Sequence, residues 1–192
     1  MQFYKLHAMN SVLKQLLAFK LLIYCVFGSS PDPVFGEKGM VVSTSKQASQ
    51  AGIQILKSGG NAIDAAVAVG FALAVTSSGN GNIGGGGFLV AYKIDGTTFT
   101  IDHREVAPSN SSKDMFLDDS LNVIPGKSWS TSLASGVPGS VAGMWMAHEK
   151  FGSKPWFDII RPSIHLAQYG FNLDPLNTSY LNSNYYLSLI HI

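Results

Sequence analysis

The chain has 192 residues, 46% hydrophobic and only 13% charged, enough for one domain of ordinary size with helices that are buried rather than solvent-facing. Thirteen basic and twelve acidic residues give a formal charge of +1, which excludes an electrostatic footprint for nucleic acid. A single cysteine, Cys25, excludes a disulfide-stapled scaffold.

The first segment has the pattern of a targeting sequence. Lys5 and Lys14 are the positive flank, Leu16 to Phe27 is an apolar stretch broken by Lys20, and Val26 and Gly28 occupy small-residue positions before a cleavage site. The apolar stretch is too short for a membrane-spanning helix, which needs about 20 residues. Residues 1–28 are therefore expected to be a signal peptide or, if uncleaved, an N-terminal anchor. Export is the expected fate, to the periplasm or medium in a bacterium and to the cell surface or exterior otherwise. Residues 29–38, with Pro31 and Pro33, read as a linker.

In the folded body, Gly39 to Ser43 is a short β-branched run with the composition of a strand. Ser43 or Ser45 is placed to cap a helix over Lys46 to Ser58, which Gly59-Gly60 stops. Asn61 is the next N-cap, with Asp64 in the first turn, for a helix from Ala62 to Thr76. That helix is apolar all round, which predicts burial on every side. Phe88 to Ile94 and Thr97 to Ile101 alternate like strands, and Asp95-Gly96 between them signals a hairpin. Further helices are predicted over Ser140 to Lys150, after Gly136-Val137-Pro138-Gly139, and within Trp156 to Tyr169, with Pro162 at a start or kink and Gly170 as C-cap. Helices mixed with antiparallel strands favour a layered α+β fold over a doubly wound sheet.

Several motifs invite chemistry that their context denies. Gly79-x-Gly81-x-x-Gly84 matches the dinucleotide fingerprint, with Asp102 at a tempting distance. That mechanism needs a strand before the glycines and a helix after them, and here the order is reversed. His7, His103, His148, His165 and His191 show no metal-ligand spacing, so no metal or cofactor is implied. There is no Gly-x-Ser-x-Gly nucleophile elbow.

Gly84 to Gly87 and Arg104 carry more weight. Four consecutive glycines signal tight turning or close backbone approach. The alternating run after them leads to Asp102-His103-Arg104-Glu105, with Arg104 expected to be buried. A guanidinium suits a bidentate grip on a ligand carboxylate, but it equally suits a structural ion pair with Glu105, Asp102 or a distant acid. Spacing leaves both open.

Taken in order, the motifs resemble the start of the large subunit of the γ-glutamyltranspeptidases (glutathione hydrolases). They are Gly59-Gly60-Asn61-Ala62-Ile63-Asp64-Ala65-Ala66-Val67-Ala68, Gly81-Asn82-Ile83-Gly84-Gly85-Gly86-Gly87-Phe88, Asp102 to Pro108, and Met115-Phe116-Leu117-Asp118-Asp119. Gly136-Val137-Pro138-Gly139-Ser140-Val141-Ala142-Gly143 and Arg161 to Ala167 with Gly170-Phe171 complete the set. The Gly-Asn-Ile-Gly-Gly-Gly-Gly form resembles bacterial members. His103 stands where the family commonly has an aromatic residue. The matching region is 39–175; residues 176–192 read as an atypical tail, expected to mark a truncation.

The resemblance implies an N-terminal-nucleophile hydrolase with a four-layer αββα sandwich, made as a zymogen that cleaves itself to expose a threonine. That threonine attacks the γ-glutamyl amide of glutathione and other γ-glutamyl compounds, and the acyl group passes to water, an amino acid or a dipeptide. Arg104 matches the arginine that binds the γ-glutamyl α-carboxylate, with no metal or cofactor. The threonine and the small subunit are expected downstream of Ile192, leaving the chain inert alone. The alternatives are a non-catalytic γ-glutamyl-binding remnant and a related cephalosporin acylase.

Overall fold

A computed structural model describes residues 13–16, 19–20, 32–77, 79–81 and 83–184. The chain divides into two compact units, 1–38 and 39–192. In the first, residues 13–16 and 19–20 are helical and 32–38 lack regular structure. The rest of the expected leader, with Val26 and Gly28, lies outside the described residues, as do residues 185–192 of the expected tail. No helix among the described residues is long and apolar enough to cross a membrane.

The second unit contains helices α1 (Lys46–Lys57) and α2 (Ala62–Thr76), strands β1 (Phe88–Tyr92) and β2 (Thr98–Asp102), and a 3-10 turn at Ser132–Ala134. Helices α3 (Ser140–Phe151), α4 (Trp156–Tyr169) and α5 (Pro175–Ser183) follow. The order is α+β, as expected. Ser45 is the α1 cap, its hydroxyl accepting from the Ala48 N–H at 3.3 Å. At the other end Gly59 turns left-handed (φ 87°), so that its N–H reaches Leu56 O and the Gly60 N–H reaches Ile55 O, both at 3.0 Å. That pair of bonds satisfies carbonyls the helix would otherwise leave free.

Helix α2 starts on a reciprocal capping box. Asn61 Oδ1 accepts from Ile63 and Asp64 N–H, and the Asp64 carboxylate accepts from Asn61 N–H. It is the central helix, packing on α1, α3 and α4, and only Ala62 and Ala66 are exposed along it. Small residues let the helices close up. A Cβ on Gly52 of α1 would lie 2.7 Å from Val69, and one on Gly70 would lie 2.5 Å from the Met144 sulfur. The core is built from Ile55, Ala65, Val67, Ala68, Ile101, Ala147 and Ile159, with Leu89 and Phe99 of the hairpin packed against it.

β1 and β2 pair antiparallel, Phe88 opposite Asp102 and Tyr92 opposite Thr98. The expected turn is present, with Gly96 at φ 83° and Asp95 Oδ1 accepting from the Thr97 N–H at 2.9 Å. Pro162 lies inside helix α4 and not at its start.

The expected strand at 39–43 does not form. A strand exists only through a ladder partner, and none of the described residues pairs there. Val41 instead packs over Gly52. Part of the region read as a tail is the helix α5, started by Asp174, whose carboxylate accepts from Asn177 N–H at 2.8 Å, and by Pro175 in its first turn.

Candidate functional site

The hairpin ladder continues one pair beyond β2: Gly87 N–H donates to His103 O at 3.3 Å, and His103 N–H to Gly87 O at 3.0 Å. The backbone at 103–105 then passes through a slot walled by glycine. A Cβ on Gly86 would lie 2.5 Å from His103 O and 2.7 Å from the Arg104 carbonyl carbon. One on Gly139 would lie 2.9 Å from the His103 carbonyl carbon, and one on Gly143 would lie 2.6 Å from His103 Cδ2. The glycine run thus serves close backbone approach at Gly86.

Hydrogen bonds close the slot. Gly139 and Ser140 N–H donate to Gly85 O at 2.9 and 3.0 Å, and Val106 and Val137 exchange both backbone bonds at 3.2 and 2.8 Å. The glycine run, the 103–106 segment and the start of α3 are thereby one fixed assembly. Gly79 and Gly81, the first members of the nucleotide-like pattern, are used for packing: their Cβ positions would lie 2.7 Å from the Tyr180 ring and from Leu73. α2 precedes these glycines and β1 follows them, the reverse of the strand–glycine–helix order that pyrophosphate binding requires.

Arg104 projects from this assembly. The expectation that it is buried fails: its side chain is 56% exposed, because the residue follows the end of β2, past the packed face of the hairpin. Its Nη2 donates to Glu105 Oε1 at 3.1 Å, and its Cζ sits 5.8 Å from the Phe88 ring centroid. Asp102 makes no ion pair with it, accepting instead from the Arg104 backbone N–H at 3.0 Å. Glu105's own N–H, and after it the Arg104 guanidinium, hold the Glu105 carboxyl below its usual range. A solvent-exposed pair of this kind contributes little to stability. It does leave most of the guanidinium's five N–H donors open to a second acceptor.

Of the residues singled out from sequence, the structure brings together the glycine run, His103, Arg104 and Gly136 to Gly143. His148 and His165 lie apart from them, in α3 and α4. Among the described residues no cluster of three or more His, Cys, Asp or Glu side chains is placed to hold a metal ion. A cleft of about 500 Å³ between α1 and α4, lined by Gln47, Gln50, Gln54, Lys154, Arg161 and His165 among others, shares no residue with the Arg104 assembly. The grip of Gly139 and Gly143 on His103 has no signature in spacing, since about 40 residues separate them.

The same arrangement of elements occurs in the crystal structure of γ-glutamyltranspeptidase from Helicobacter pylori. The match has 44% sequence identity and a TM-score of 0.76, over 79% of this chain and 44% of that one. The chain therefore has the fold of the N-terminal-nucleophile hydrolases, of which it holds a part. The family model for γ-glutamyltranspeptidase matches residues 48–189, a span that includes α5 and most of the region read as a tail. This chain belongs to the γ-glutamyltranspeptidase family. It is 50% identical over 139 residues to the glutathione hydrolase proenzyme of Escherichia coli K12, covering 72% of this chain and 24% of that protein. It is also 50% identical over 163 residues to the glutathione hydrolase proenzyme of Pseudomonas sp. A14, covering 84% of this chain and 28% of that protein. The chain spans about a quarter of the length of these curated relatives. All three relatives are bacterial, in keeping with the form of the glycine run.

Proposed function

We propose that the chain contributes the γ-glutamyl carboxylate clamp of an exported glutathione hydrolase and γ-glutamyltransferase. One observation carries this reading within the family: an exposed arginine with free donors stands on a backbone held between Gly86 and Gly139. Arg104 releases or shares Glu105 and takes the α-carboxylate of the γ-glutamyl group through two parallel N–H donors. Anchoring that end fixes the distance from the γ-amide to the attacking group.

The nucleophile is a threonine from sequence outside these 192 residues, freed by autoproteolysis of a precursor that also supplies the small subunit. Its Oγ bonds to the γ-carbonyl carbon, its own amine takes the hydroxyl proton, and the amine of the departing peptide leaves with a proton. Water, an amino acid or a dipeptide then accepts the acyl group. Without that threonine the chain binds but does not turn over.

The test is expression of the complete reading frame that contains these residues, with γ-glutamyl-p-nitroanilide and glutathione as substrates. Autoproteolysis to two subunits with release of nitroaniline is expected. In that protein Arg104→Lys raises KM by about tenfold or more, because an ammonium has no bidentate fork. Wild-type kinetics in the lysine variant would refute the clamp; a reading frame without the threonine, yielding no turnover, would leave the non-catalytic remnant.

A further inference from the structure

We propose that His103 is a positioning residue for Arg104: its ring fills the gap Gly143 leaves in α3 and so sets the aim of the guanidinium. This rests on the clamp reading of Arg104 given above.

Three observations meet at this side chain. First, the side chain is pressed against α3. A Cβ on Gly143 would fall 2.6 Å from His103 Cδ2 and closer still to Cβ and Cγ, so the helix surface there is open only because residue 143 has no side chain. Second, the ring's other side meets the glycine run, with Cε1 3.1 Å from where a Gly87 Cβ would stand. The imidazole is thus held between two glycines on separate elements, in register with the ladder pair that joins Gly87 to His103. Third, its Nδ1 is buried with no hydrogen-bond partner among the described residues. A buried polar atom left unpaired disfavours the fold, so hydrogen bonding by Nδ1 is not what holds the ring there. Its flat shape is.

Arg104 is the next residue, and among the described residues its side chain meets one exposed ion pair and a distant aromatic face. Its direction therefore depends on the peptide planes at 103 and 104, which the wedged ring and the Gly86 and Gly139 contacts hold in place. An aromatic ring without nitrogen should serve as well. A methyl group should not, since it leaves the slot half empty and the 103–105 backbone free to shift.

The experiment compares His103→Phe, His103→Ala and Gly143→Ala in the protein from the complete reading frame. Steady-state kinetics on a γ-glutamyl anilide and amide hydrogen exchange across 85–105 are the two readouts. His103→Ala is expected to raise KM about tenfold with kcat within about threefold, since the carboxylate grip is made in ground and transition states alike. Exchange at the Gly87 and residue-103 amides should quicken. Gly143→Ala should do the same by pushing the ring out. His103→Phe should keep KM and exchange near wild type.

Wild-type KM and exchange in His103→Ala overturn the proposal, as does a loss confined to kcat or a Phe variant as impaired as the Ala one. If the wild-type protein cleaves no γ-glutamyl substrate, the functional reading fails separately. The exchange arm then still decides whether His103 fixes this backbone.

Discussion

Asp64 shows how a single carboxylate can hold three elements together. It is fully buried, yet it accepts from the backbone N–H groups of Asn61, Ser153 and Lys154 and from the Ser153 hydroxyl at 2.6 Å. The donors come from the start of α2 and from the turn between α3 and α4, while Lys154 Nζ reaches back to Ser58 O just after α1. Burial pushes the carboxyl pKa up, but the Ser153 hydroxyl and the three N–H groups outweigh it, and the group lies below its ordinary 3.8. A carboxyl depressed in the folded state adds stability that is complete above its unfolded pKa and fades as pH falls through the folded one. Asp64 therefore stabilises fully at neutral pH and weakens only below about pH 4. Asp64→Asn presents an amide NH₂ to groups that are themselves donors. Urea denaturation at pH 7 should show a loss of about 3 kcal/mol, with a flatter acid limb than wild type. Equal stability of the two proteins at pH 7 would mean that this hub is not what joins the helices.

The element ends are where local chemistry spoke most clearly. Gly59 adopts φ 87° to close α1, a conformation in which an L side chain is strained. Gly59→Ala should cost about 1 kcal/mol in denaturant unfolding, and Gly59→Asn less, because asparagine tolerates the left-handed region. Equal losses for the two would point to packing rather than backbone strain. The Asn61 cap, the Gly96 turn and the α2 boundaries were legible for the same reason: a cap or turn is written in residues next to one another. Gly39 to Ser43 misled because β-branched composition does not supply a partner strand. Helix α5 carries a local signal in Asp174-Pro175, a cap followed by a first-turn proline, although its composition reads as a tail. Arg104 was legible as a residue but not in its exposure, and its glycine slot was not legible at all. That slot depends on Gly86 of the glycine run and on Gly139 and Gly143 at the start of α3 meeting the 103–105 segment, and no local pattern encodes such a meeting.

At the scale of the unit 39–192, the hairpin shows what its two faces require. Leu89, Phe99 and Ile101 point to the helices and join the core. Phe88, Val90 and Tyr92 point the other way and are 65%, 77% and 77% exposed. In an αββα sandwich each sheet has helices on one face and the second sheet on the other, so both faces of a strand are apolar. The fold thus predicts that a second sheet covers the face that Phe88, Val90 and Tyr92 present. Alone, the 192-residue chain should self-associate through this stripe. Sedimentation velocity should show mass rising with concentration, and Val90→Lys with Tyr92→Thr should shift it toward monomer without loss of helical circular dichroism. In the protein from the complete reading frame the same pair of changes should have the opposite sense. There they place a charge between two packed sheets, and autoproteolysis and folding yield should both fall. A wild-type chain that stays monomeric at high concentration and unfolds cooperatively would show instead that this face needs no second sheet.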